Sequence, residues 1–144
     1  MGTVLSFKAT SARRLPCATQ SERSASVTGW SSAVPAKFEV GECNCSMCSR
    51  TGFQHLPVPG TQFKLLCGED ALTEYRFNTG VAKHLFCKFC GVKSFYVPRS
   101  HPDGFSVNAR CLDEGTVQGM TVKQIDGKNW EKHYPAGRGE RLED

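Results

Sequence analysis

The sequence contains no hydrophobic run that approaches the roughly twenty residues needed to cross a bilayer. A secretory hydrophobic segment is also missing, because the first ten residues, MGTVLSFKAT, are too short and too polar to form one. We therefore expect no membrane-spanning helix and a cytoplasmic or nuclear location. Thiols in those reducing compartments bind metals more readily than they form disulfides.

Acidic residues are scarce near the N-terminus. Residues 1–38 carry five Lys and Arg against Glu22 alone, whereas residues 39–144 carry thirteen basic and thirteen acidic groups. We interpret residues 1–35, which are rich in Ser, Thr, Ala and Arg, as a disordered tail. Their composition is also typical of a mitochondrial transit peptide, and Gly2 fits the pattern for N-myristoylation. Attraction to an acidic partner such as chromatin or microtubules would come from this basic tail, because the body is neutral overall.

Long helical periods and internal repeats are lacking as well. From Lys37 onward, short segments of β-branched and aromatic residues alternate with turn residues, which predicts a mostly β fold. The predicted strands cover residues 38–40, 62–66, 72–77, 84–87, 92–97, 104–108 and 117–125, and a short helix is expected within 129–133. The folded domain is expected over residues 36–134, followed by a frayed C-terminus over 135–144.

Cysteine, in contrast, is abundant and clustered. Five of the eight cysteines lie in two short segments, CNCSMC (residues 43–48) and CKFCG (residues 87–91). Such clusters are typical of sites for a soft divalent metal, zinc above all. The second segment predicts a zinc knuckle, since two thiols three residues apart can face one metal and the following Gly91 tolerates a tight turn.

Two arrangements of zinc fit this spacing. In a zinc ribbon, Cys45, Cys48, Cys87 and Cys90 would close one four-thiolate structural site, and Cys43 would be spare. In the other arrangement, Cys43, Cys45 and Cys48 hold one zinc with an open position, while Cys87 and Cys90 supply part of a second site. An open zinc of this kind can bind an incoming thiol and lower its pKa, which suits chemistry at a carbon–sulfur bond.

Several separated motifs resemble one family in the same order along the chain. They are CNCSMC with the following Arg50 to Gly52, LFCKFCGVKSFYVPRS over residues 85–100, and CLDEG over residues 111–115. Over residues 38 to about 132 the sequence resembles the glutathione-dependent formaldehyde-activating enzymes. The resemblance implies a small fold of stacked β-sheets with two zinc ions, and carbon–sulfur lyase activity on a thiol adduct such as S-hydroxymethylglutathione.

The resemblance also implies roles for the two cysteine clusters. Cys43, Cys45 and Cys48 would hold the open, catalytic-type zinc, and Cys87 and Cys90 would give half of the structural zinc site. No other side chain is assigned a catalytic role. The family's N-terminal C-x-C-G element is missing here, where the sequence reads GWSSAV over residues 29–34. The second site is therefore incomplete, or it is completed by Cys17, Cys67 or Cys111.

The alternative is a non-enzymatic member of the same family that acts at chromatin or the cytoskeleton, with zinc that only holds the fold. Two histidines near the cysteines, His55 and His84, are interpreted as packed or surface residues. Asp113 and Glu114 are interpreted as a solvated turn.

Overall fold

The computed structural model describes residues 29–32, 35, 37–112 and 119–133. This part of the chain forms nine strands and two short α-helices. The strands are β1 (Gly29–Ser32), β2 (Phe38–Cys43), β3 (Gln54–Pro59), β4 (Phe63–Cys67), β5 (Leu72–Arg76), β6 (Lys83–Cys87), β7 (Phe95–Val97), β8 (Gly104–Asn108) and β9 (Met120–Ile125). The helices are α1 (Ser46–Thr51) and α2 (Trp130–His133), and short 3-10 turns occupy Gly60–Gln62, Glu69–Ala71, Ala109–Cys111 and Gly127–Asn129.

Seven of the strands form one sheet in the order β5-β6-β7-β8-β3-β2-β9, and β1 pairs with β4 in a second, two-stranded sheet. All pairs are antiparallel except β2 and β9, which run side by side from Phe38 opposite Met120 to Cys43 opposite Ile125. The mostly β fold with two sheets confirms the prediction.

The core lies where the small sheet covers the large one. Alternation along β2 buries Phe38 and Val40 and leaves Glu39 exposed, as expected for a strand with one face on the core. Phe63 of β4 reaches the large sheet, with its ring centroid 4.1 Å from that of Phe105 and 4.9 Å from that of Phe95. Trp30 of β1 stacks on the same Phe63 ring at 5.9 Å. These aromatic contacts hold the two layers together.

Some elements were not predicted from the sequence. Strand β3 was not predicted because it contains Pro57 and Pro59, and prolines argue against a central strand. The structure accommodates the two prolines because β2 pairs with β3 only at Gln54 and His55. Pro57 and Pro59 lie beyond this paired part, where β3 has β8 as its neighbour. Helix α1 was also missed, and the predicted strand over 92–97 begins only at Phe95.

β1 precedes residue 36, where we expected the folded domain to begin. The tail up to residue 28 and the C-terminus from residue 134 lie outside the described residues, so the interpretations of both segments stay predictions. Among the helices of the described part of the chain, none combines the length and the apolar character that crossing a membrane requires.

Candidate metal centre

Three thiols converge where β2 ends and α1 begins. Cys43 is the last residue of β2, Cys45 precedes the first turn of α1, and Cys48 lies buried within that helix. Their sulfur atoms all lie within 4.8 Å of one another. Within the described residues, they are the only group of three or more His, Cys, Asp or Glu side chains placed to hold a metal ion. The predicted convergence of these three residues is therefore present in the structure.

The first turn of α1 explains why these sulfurs gather. Cys45 has an extended backbone and its Sγ accepts a hydrogen bond from the Cys48 amide at 3.4 Å, as an N-cap side chain does. Cys43 Sγ in turn accepts from the Cys45 amide at 3.5 Å. Backbone N–H groups that would otherwise lack partners at a helix start are thus directed at sulfur.

The thiols share protons unequally. Hydrogen bonds with Cys43 and then Cys48 hold the pKa of Cys45 far below its ordinary value. Hydrogen bonds with Cys43 and then Cys45 raise the pKa of Cys48 far above its ordinary value, and burial raises it further. Cys45 is thus the thiol of the three that loses its proton most readily. A metal ion would replace the remaining protons, as metal binding to cysteine generally does.

Zinc fits this donor set. With zinc–sulfur bonds of about 2.3 Å, a tetrahedral site holds its sulfurs roughly 3.8 Å apart, within the separation seen here. Three soft ligands leave one tetrahedral position open.

A turn from the other end of the chain closes over the cysteine loop. The backbone N–H of Asn44 donates to the Ile125 carbonyl at 3.1 Å. The Asn44 side chain donates to the Asp126 carboxylate at 3.0 Å and accepts from the backbone N–H of Lys128 at 2.9 Å. Gly127 lies so close that a Cβ atom built there would overlap Cys43 Sγ. A larger residue at this position would displace the Cys43 sulfur from the place it has beside the turn.

An open cleft of about 490 Å³ borders the thiols on their solvent side. Cys45 is the one cysteine of the three that lines it, together with the cations Arg50 and Lys128. The other lining residues are polar or small apart from Phe77, and none of the lining residues is acidic. The cleft thus offers a basic approach to Cys45 that suits a small anionic molecule.

The opposite, buried side of the thiols meets a polar cluster inside the core. His55 Nε2 lies 3.2 Å from Cys48 Sγ, and His55 Nδ1 lies 3.2 Å from both Ser106 Oγ and Tyr96 Oη. Burial, followed by the charge of Lys93, lowers the pKa of His55 to about 4. The sequence analysis interpreted His55 as a packed or surface residue, and its contact with Cys48 could not be inferred from the spacing of seven residues alone.

A buried lysine completes this cluster. Lys93 is only 4% exposed, its Nζ lies 2.6 Å from His84 Nδ1, and it sits 4.2 Å from the Tyr96 ring centroid and 4.5 Å from that of Phe53. Burial lowers the Lys93 pKa to about 8, although the charges of the three cysteines oppose this shift. The amine is therefore still protonated at neutral pH. No pattern in the sequence marked Lys93, because a lysine between a glycine turn and a strand ordinarily lies at the surface.

The second cysteine pair has the turn that the sequence predicted. The Gly91 amide donates to the Cys87 carbonyl at 2.8 Å, the Cys87 amide donates to the Val92 carbonyl at 2.9 Å, and Gly91 has a φ of 74°. Cys87 is buried and Cys90 is exposed. The structure does not bring this pair to the first cluster, so the zinc-ribbon arrangement is not formed.

The candidates for completing the second site differ. Cys111 lies close enough to Cys90 for the Cys90 charge to raise its pKa, after the larger effect of burial. Cys67 is disulfide-bonded, contrary to our expectation for this chain, and so offers no thiolate. Cys17, Asp113 and Glu114 lie outside the described residues.

His84 should make the fold sensitive to acid. Burial first, and then the charge of Lys93, lowers its pKa to about 4 from 6.5, so between these pH values the unfolded chain binds a proton that the folded chain does not. The free energy of unfolding should therefore fall as the pH falls from 6.5 to 4, by about 2 to 3 kcal/mol for this residue.

Urea unfolding of the wild type and of His84→Gln at pH 7 and pH 4.5 measures this contribution. The variant should lose less stability over the interval, because glutamine does not titrate. Equal losses in both proteins would contradict the assignment.

Comparison with known proteins supports the same picture. Residues 26–130 match the family described as glutathione-dependent formaldehyde-activating enzyme. Among solved structures, a Rhodobacter sphaeroides protein is similar with a TM-score of 0.57 and 24% sequence identity. The match covers 67% of this chain and 92% of that chain, and it supports the fold.

Proposed function

Because the chain belongs to the glutathione-dependent formaldehyde-activating enzyme family, we propose that it is a zinc-dependent carbon–sulfur lyase acting on a small thiol adduct such as S-hydroxymethylglutathione. The observation that supports this function most directly is the group of three thiols, one of which lines an open, basic cleft. Three ligands with a free position are typical of reactive zinc sites, whereas structural sites have four.

The proposed residues of the zinc site are Cys43, Cys45 and Cys48. A zinc ion held by them would lower the pKa of a thiol that enters from the cleft and would orient its sulfur. Cys45, on the cleft side, determines where that sulfur arrives. Gly127 and Asn44 hold the loop against the turn that follows β9, so the three ligands keep their positions while substrate enters and product leaves.

The proposed reaction is redox-neutral. The carbon–sulfur bond of the hydroxymethyl adduct breaks, the carbon–oxygen bond becomes the carbonyl of formaldehyde, and the hydroxyl proton is transferred to the leaving sulfur; the reverse reaction forms the adduct. Arg50 and Lys128 would bind the carboxylates of glutathione at the cleft and so place the reacting sulfur beside Cys45.

We also propose a second zinc site that includes Cys87 and Cys90. Their tight turn and the nearby Cys111 support it. The described residues supply no group of three ligands there, so a further ligand would have to come from elsewhere in the chain. We propose the domain boundaries that the sequence predicted, residues 1–35, 36–134 and 135–144, with one change. The strand β1 also belongs to the folded domain.

An alternative function is that of a non-enzymatic, centromere protein V-like component of chromatin or the cytoskeleton, with zinc that only stabilises the fold. The observation that favours it is the excess of positive charge in residues 1–38. The neutral body does not add to this attraction.

One set of measurements on the purified full chain separates the two functions. Zinc content by elemental analysis is expected to reach one or two ions per chain, and zinc-loaded protein should interconvert formaldehyde, glutathione and S-hydroxymethylglutathione. A neutral thiol such as 2-mercaptoethanol should show a higher KM than glutathione, because it has no carboxylate for the basic cleft. Zinc-loaded protein without turnover that co-sediments with DNA or microtubules would overturn the lyase in favour of the alternative.

A further inference from the structure

His55 is placed to act on the metal centre from inside the core. It lies on β3, is only 8% exposed, and its ring is held edge-on against Tyr96, with ring centroids 5.6 Å apart, and tilted against Phe53 at 4.7 Å. Packing on these two rings leaves the imidazole little freedom to turn. Its Nε2 atom therefore points steadily at Cys48 Sγ, 3.2 Å away.

The partners of the imidazole decide which nitrogen carries the proton. A metal-bound thiolate at Cys48 can only accept a hydrogen bond, so the contact at Nε2 requires the hydrogen on that nitrogen. On the other side, Nδ1 faces the hydroxyl groups of Ser106 and Tyr96, both of which can donate. Tyr96 stays protonated, because burial raises its pKa. Both hydroxyl groups can supply a hydrogen to Nδ1, which leaves Nε2 to carry the hydrogen that points at sulfur.

A metal held by three thiolates needs such a donor. Zinc with three thiolates has a net charge of −1, and Cys48 is the most deeply buried of the three cysteines. An uncompensated negative charge in the core is costly, whereas hydrogen bonds to the sulfur reduce that cost. The ammonium of Lys93 adds a positive charge in the same cluster without touching the sulfur atoms in any described contact.

We propose that His55 is a positioning residue of the metal centre, whose Nε2–H donates a hydrogen bond to Cys48 Sγ, fixes the direction of this sulfur and weakens its electron donation to the metal. The inference rests on the proposed metal site at Cys43, Cys45 and Cys48. Groups that hydrogen-bond a metal ligand commonly change metal affinity by about 10- to 100-fold. Ser106 and Tyr96 set the tautomer and so act one step further away.

Cobalt substitution tests the proposal with a signal that does not depend on turnover. Co²⁺ bound to thiolates absorbs light through charge transfer from sulfur to metal, and a hydrogen bond to sulfur moves this band to higher energy. We compare the wild type with His55→Gln and His55→Met, two side chains of nearly equal shape, of which only glutamine has an N–H donor. His101→Met, in the loop before β8, serves as the control for loss of a histidine away from the thiols.

The expected result is a shift of the band to lower energy in His55→Met, with zinc affinity about 10- to 100-fold lower in competition with a chromophoric chelator. His55→Gln and His101→Met should both resemble the wild type. Equal bands and affinities in His55→Met and His55→Gln would overturn the role of His55. A wild-type protein that binds no Co²⁺ would instead refute the metal site itself, so the two failures are distinguishable.

A second variant covers the case in which His55→Met does not fold. Tyr96→Phe combined with Ser106→Ala removes both donors to Nδ1 and frees the imidazole to take the other tautomer. The charge-transfer band should then shift in the same direction as expected for His55→Met, by a smaller amount. An unshifted band in this folded variant would count against the proposal.

Discussion

Replacing Cys45 with serine is expected to abolish thiol-dependent turnover, with a loss of at least about 1,000-fold. Cys45 is the proposed ligand on the cleft side, so its loss would remove both a metal–sulfur bond and the sulfur next to which substrate would arrive. The fold should survive, because a serine hydroxyl can still accept the Cys48 amide and serve as the N-cap of α1.

The measurement is the rate of S-hydroxymethylglutathione cleavage in zinc-saturated protein, together with zinc content after dialysis. Thr51→Ser is a suitable control, since it is a small change at an exposed residue of the same helix that belongs neither to the three thiols nor to the cleft lining. The control should keep its turnover, while Cys45→Ser should also lose bound zinc. Unchanged turnover in Cys45→Ser would refute the proposed mechanism.

The second large effect is expected from Gly127→Ala, a change of one methyl group outside the cysteine loop. The added Cβ would overlap Cys43 Sγ and would come within 3.2 Å of Cys45 Cβ. Without metal, the Cys43 side chain can rotate away at little cost. With metal bound it cannot, because its sulfur is then a ligand. We therefore expect zinc affinity to fall by about 10- to 100-fold while the metal-free fold loses little stability.

Two measurements test this result. Competition with a chelator gives the zinc affinity, and urea unfolding of the metal-free protein gives its stability. Gly41→Ala is a useful control, because its Cβ would meet the Ile125 side chain in the neighbouring β9 and not a sulfur atom. That variant should lose stability with a much smaller change in affinity. The same loss of affinity in both variants would indicate a general weakening of the β2 and β9 pair.

The sequence alone was sufficient for the first cluster and for the fold class. Three thiols within six residues can reach one another whatever the rest of the fold does, so their convergence is a local property that spacing reveals. The alternation of short apolar segments with turns likewise predicted a mostly β fold. The knuckle turn at Cys87 and Cys90 followed from the same local reasoning, through Gly91.

The features that were missed depend on contacts between distant segments. His55 reaches Cys48 only because β3 turns back beside β2, and β3 itself was hidden by its two prolines. Lys93 and Gly127 are ordinary residues in the sequence, and their importance comes from the parts of the fold that pack against them. A single sequence without those packing relations does not distinguish such a buried lysine from the many at the surface.

The parallel pairing of β2 with β9 has a consequence for how the protein matures. The cysteine loop leaves the ribosome well before β9 and the turn at Gly127, which later close over it. During synthesis the three sulfurs are thus presented on a nascent chain whose supporting strand has not yet been made. A metal held by the three thiols would accordingly reach its final surroundings only after β9 and the turn at Gly127 have been made, and a chain that ends before β9 would have the thiols without their enclosure.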